Sequence, residues 1–134
     1  MVSLKKLLIL LSSSIVLSGC SLFFVSRFDY NEQARLITVL QLTQHAEVCA
    51  DPAQAAHAAQ QLNTHVEWLQ MYSRDLPHNE PMQKMNEQLM GAVKEFVARY
   101  KSTTPVSKIY CESKMHNIQK IADVMRDVSA RRPR

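Results

Sequence analysis

Cys49-Ala50-Asp51-Pro52 closes one helical pattern and opens the next within four residues. Aspartate at an N-cap accepts from the amides of the first turn, and proline suits the first helical position because an amide there would be unpaired anyway. Upstream, Leu36, Val39, Leu40, Thr43, Ala46 and Cys49 recur at helical spacing, which predicts one apolar stripe on a helix over 30–50. Asp29-Tyr30-Asn31-Glu32 has the form of a capping box at its start, with Asp29 capping the first turn and Glu32 reaching back to the cap amide. Downstream, Ala55, Ala59, Leu62, Val66, Leu69 and Leu76 line a second helix, with Trp68 and Tyr72 on its flanks.

Two more helices follow. Pro77-His78-Asn79-Glu80-Pro81 breaks the pattern, and Met82, Met85, Leu89, Val93, Phe96 and Tyr100 resume it. Glycine in a helix interior costs about 1 kcal/mol relative to alanine, so Gly91 is expected to mark a tight contact with another helix. Ser102-Thr103-Thr104-Pro105 separates the third helix from a fourth, whose stripe is Cys111, Met115, Ile118, Ala122 and Met125, widened by Ile121, Val124 and Val128. Most of the methionines fall on these stripes and read as core filling rather than as a binding surface. The expected fold is all-α: an antiparallel up-down-up-down four-helix bundle over 29–130, closed by short connections.

Residues 1–19 read as an export signal. Lys5 and Lys6 precede an apolar run from Leu7 to Leu17, interrupted only by Ser12, Ser13 and Ser14, and small residues follow. Leu17-Ser18-Gly19-Cys20 resembles the lipobox of bacterial lipoproteins. The resemblance implies cleavage before Cys20 and covalent diacylglycerol and N-acyl chains on Cys20, with no other cofactor. A membrane span would need about 20 apolar residues, more than this run provides. Ser21 is not the aspartate that retains such lipoproteins at the inner membrane, so the expected location is the inner leaflet of the outer membrane, facing the periplasm. Residues 20–28 form the expected lipidated tether; Phe23 and Phe24 either dip into the bilayer interface or pack under the domain.

Export bears on the cysteines. With Cys20 taken by lipid, Cys49 and Cys111 remain as an even pair in an oxidising compartment. In the expected topology the end of the first helix and the start of the fourth lie together, so the two are predicted to form a disulfide. The same topology puts the tail, residues 131–134, beside the tether. Arg131, Arg132 and Arg134, expected to be frayed, are therefore candidates for anionic head groups, each contributing about 1 kcal/mol. Removing these three and Lys5 and Lys6 from the 16 basic residues leaves 11 against 12 acidic ones. The body is neutral and its charges are interspersed, which argues against nucleic acid as a partner.

No catalytic constellation is legible. There is no H-E-x-x-H, no C-x-x-C-H, no G-x-S-x-G and no phosphate-cradling glycine loop. His45, Cys49, Cys111 and His116 supply the elements of a two-Cys, two-His zinc site, but Cys111 and His116 are five apart and point to different faces. His57, His65 and His78 read as surface residues, and Glu80, Glu87 and Glu95 face no evident paired acid. The expectation is a protein with neither an enzymatic activity nor a metal.

Phe28-Asp29, Asn31-Glu32, Tyr72-Ser73, Leu76-Pro77, Asn79, Lys108, Tyr110-Cys111 and Lys114 together resemble short helical lipoproteins carried by tailed bacteriophages and some bacteria. The resemblance implies a lipid anchor and a helical domain and brings no catalytic residues. Phage lipoproteins include receptor-masking exclusion proteins and outer-membrane lysis subunits. The expected function is thus a lipid-anchored envelope module that binds a protein partner in the periplasm, in the manner of an exclusion protein. The alternatives are a lysis subunit and a small envelope enzyme or metal carrier.

Overall fold

The computed structural model describes residues 26–134. The segment expected to be an export signal, with Cys20, Phe23 and Phe24, lies outside the described residues. Within them the chain forms four α-helices and no strand: α1 (Tyr30–Gln44), α2 (Pro52–Asp75), α3 (Glu80–Lys101) and α4 (Lys108–Ala130). A 3-10 turn, Ala46–Ala50, links α1 to α2. Successive helices run antiparallel; each packs on its sequence neighbours, and α1 packs on α4 to close the bundle.

The helix starts follow from their caps. Asp29 Oδ1 accepts from the Glu32 amide at 2.8 Å, and Asp51 accepts from Ala53 and Gln54 with Pro52 at the first helical position. Ser107 caps α4 by accepting from the Tyr110 amide at 3.2 Å. Glu32 does not complete the capping box. Its side chain is fully buried and turned toward the bundle interior.

The first helix is shorter than predicted, and the reason lies in Cys49. Thirteen residues beyond Leu36, an unbroken α-helix at about 100° per residue would carry Cys49 roughly 140° away from the Leu36 side. Instead α1 ends at Gln44, His45 takes a non-helical conformation (ψ 55°), and the tighter 3-10 winding brings Cys49 back to a buried position. Cys49 and Cys111 are bonded, with Cα atoms 5.6 Å apart, as the topology required.

The core follows the stripes, with Leu36, Leu62, Leu69, Met82, Leu89, Phe96, Met115 and Ile118 almost fully buried. Cutting any of these leucines to alanine is of the kind that costs about 2–5 kcal/mol. Three expectations fail. Val124 and Val128 are 56% and 38% exposed, so the α4 stripe is narrower than predicted. Gly91 is exposed, and a Cβ built on it meets nothing within 4 Å, so it marks no helix contact. Ser73 is fully buried on the α2 stripe, whereas Leu76, beyond the end of the helix, is only half-buried.

Candidate functional site

The end of the bundle where the chain enters holds a buried polar network. Glu32, from the first turn of α1, is 0% exposed and accepts from Arg132 Nη1 at 2.7 Å. The other Glu32 oxygen accepts from Asn79 Nδ2 at 3.1 Å, which also donates to the Ser73 carbonyl at 3.1 Å. Asn79 Oδ1 accepts from Arg132 Nη2 at 2.7 Å and from Ser26 Oγ at 3.2 Å. Asn86 Nδ2 donates to Ser73 Oγ at 2.8 Å. Asn79 occupies the N-cap position of α3 without capping it, because its amide is committed to this network. It is delivered there by His78, whose φ of 56° is left-handed and turns the chain between α2 and α3.

This network corrects the reading of the tail. Arg132 is not frayed: its side chain is 7% exposed and paired inside the bundle, so it is not a cation offered to head groups. The Phe28 amide donates to the Pro133 carbonyl at 2.9 Å, and the Arg134 guanidinium lies 5.4 Å from the Phe28 ring centroid. Arg131 and Arg134 remain exposed. Ser26, expected to be tether, is already 92% buried against Asn79, so the domain begins before residue 29.

A second cluster lies on the flank between α1 and α2. The Arg35 guanidinium lies 4.4 Å from the Trp68 ring centroid and donates from Nη1 to His65 Nδ1 at 2.7 Å. Trp68 stacks on Tyr72 at 4.5 Å, nearly parallel. The Tyr72 hydroxyl donates to Asp29 Oδ2 and accepts from Asn31 Nδ2, both at 3.1 Å. Burial, followed by the charge of Arg35, lowers the His65 pKa, which keeps the imidazole neutral and able to accept. A depression of about 260 Å³ beside this stack is lined by Asn31, Ala34, Arg35, Thr38 and Trp68.

At the far end the disulfide is ringed by exposed interactions. Lys114 pairs with Glu95 and lies 5.8 Å from the Tyr110 ring centroid; that ring also lies 5.8 Å from the Arg99 guanidinium. The hydrogen bond and charge of Lys114 lower the Glu95 pKa, and Glu95 in turn raises that of Lys114. The sulfurs of the supposed zinc quartet are bonded to each other, and His45 Nδ1 pairs with Glu47 at 2.8 Å. Among the described residues no group of three or more His, Cys, Asp or Glu side chains is placed to hold a metal ion, and no helix is long and apolar enough to cross a membrane.

Neither cluster was named from the sequence, although each left a signal. Ser73 and Asn86 stand where their stripes call for apolar residues, and His65, Trp68 and Tyr72 share one flank of α2 at helical spacing. The partners from the other elements, Arg132 and Arg35, carry no such signal. No protein-family model matches the chain, and no curated protein or solved structure gives a significant match.

Proposed function

We propose that the protein is a lipid-anchored, non-enzymatic interaction module of the cell envelope. On this reading Cys20 carries the acyl chains, and the bundle faces the periplasm from the inner leaflet of the outer membrane. There it binds an envelope protein, in the manner of a receptor-masking exclusion lipoprotein. The observation that carries the reading is the lipobox taken together with the attachment of Ser26 to the base of the bundle. Six Cα steps separate Cys20 from Ser26, which limits the reach from lipid to domain to roughly 20 Å. A domain held that close is well placed to meet partners in or beside the same membrane. The resemblance to phage lipoproteins supports the masking role. The half-buried Arg35, Trp68 and Tyr72 cluster supports a binding function, since these residue types dominate binding hot spots.

The test is made in cells. Wild-type protein should fractionate with the outer membrane, and Cys20→Ala should release it or leave it uncleaved. Site-specific crosslinkers placed around the bundle should trap the same envelope protein from several positions. Inner-membrane retention contradicts the location, and an absence of any reproducible crosslink contradicts the interaction role.

A further inference from the structure

The α1–α2 flank presents a guanidinium that is held between an imidazole and an indole and has no acid beside it. One Arg35 nitrogen is engaged by His65, and its face is covered by the indole of Trp68. No carboxylate among the described residues lies within 4.0 Å of it, whereas Lys108, Lys114, Arg126 and Arg132 each have one. A guanidinium carries five N–H donors in a fixed fork suited to a carboxylate. Stacking on the ring and hydrogen bonding to the imidazole restrict its rotamers in advance, so a ligand meets a cation whose ordering cost has been met by folding. The depression beside it supplies a wall of Ala34 and Trp68 with a polar rim of Asn31 and Thr38.

We infer that this flank is a docking site for a protein segment that presents an aspartate or glutamate side chain next to an apolar one. The carboxylate seats on Arg35, and the apolar neighbour packs against the edge of Trp68 left open by the stack. This rests on the reading of the protein as an interaction module and names the chemistry of its partner. A lipid head group fits less well: membrane-surface sites use clusters of basic residues, and here a single arginine sits on the side of the bundle. Single-stranded nucleic acid would need a basic groove beside the aromatic platform, and the body of the chain is neutral.

The chain contains one tryptophan, so its fluorescence reports this site directly. Mature protein is titrated with the blocked peptide acetyl-Leu-Glu-Leu-amide, with its Leu-Gln-Leu counterpart, and with phosphatidylglycerol vesicles. The expected result is a saturable change in Trp68 emission with the glutamate peptide, and binding weaker by about tenfold or more for the glutamine peptide. Arg35→Gln should abolish the response and Arg35→Lys should weaken it, with helical circular dichroism unchanged in both. Equal response to the two peptides, or no saturable response to the glutamate peptide in the wild type, overturns the proposal. So does a response to vesicles in its place that Arg35→Gln abolishes, since a response through the acyl anchor on Cys20 would survive that change. The peptide comparison on the wild type needs no variant to fold. It also uses purified protein, so its failure leaves the in-cell crosslinking result standing, and failure of the crosslinking leaves the titration standing.

Discussion

Where the chain enters the bundle, a carboxylate and a guanidinium a hundred residues apart in sequence bury one another under an asparagine amide; at the opposite end, one covalent bond joins Cys49 to Cys111 while the ion pairs around it stay in water. The disulfide acts mainly by constraining the unfolded chain and asks nothing of the groups nearby. The network at the base acts only in the folded state and only when complete, because a buried charge without its partner is strongly destabilising. The segment entering at Ser26 and the tail are therefore one unit, held by Asn79, which touches Ser26, Glu32 and Arg132 together.

The largest effect is expected at the base. Arg132→Ala leaves Glu32 buried and unpaired and should lower stability by about 3–5 kcal/mol in urea denaturation. Replacing both groups at once, with Glu32→Leu and Arg132→Met, should cost less than either single change, since no charge is then left stranded. At the far end, the double Cys49→Ser, Cys111→Ser variant opens a bridge across a sequence separation of 62. It should lose about 2–4 kcal/mol while keeping its helical circular dichroism. Loss of all helicity would mean that the apolar stripes do not carry the fold.

Smaller effects separate the ends from the middle. Gly91→Ala should stabilise by about 1 kcal/mol, because the position is exposed, helical and open; destabilisation would restore the helix contact expected from the sequence. The smallest effect is one of pH. Burial and then Arg35 hold the His65 pKa below the ordinary 6.5, so the unfolded chain takes up a proton more readily than the native one. The contribution is fully present above about pH 6.5 and is lost as the pH falls below it toward the folded value. Stability measured from pH 7.5 to 5 should therefore drop more for the wild type than for His65→Gln. Parallel curves would show that His65 is not held neutral.

The fold was legible because amphipathic stripes, an Asp-Pro restart and an even cysteine pair each point to the same topology. Local detail was less so. Cys49 was placed on the stripe by spacing alone, although an uninterrupted α-helix would turn it away; the 3-10 turn that rescues it depends on packing against α4. Asp29 and Glu32 matched a capping box, yet only Asp29 caps, because the competing partner of Glu32 lies at the other end of the chain. Arg132 was read as a frayed cation for the same reason: a charge near a terminus looks solvated until the acid that it meets is known. The Arg35 cluster was half visible, in the shared flank of His65, Trp68 and Tyr72, while the arginine that organises it comes from a different helix.

A double-mutant cycle between Glu32→Gln and Arg132→Gln in the purified protein tests the central claim, that the tail is built into the base of the bundle. Denaturation of the wild type, the two single variants and the double variant isolates the pairwise term. A buried, directly paired carboxylate and guanidinium should give a coupling of about 2 kcal/mol or more. A coupling below about 0.5 kcal/mol, in the range of exposed pairs, would return Arg132 to solvent and separate the tail from the fold.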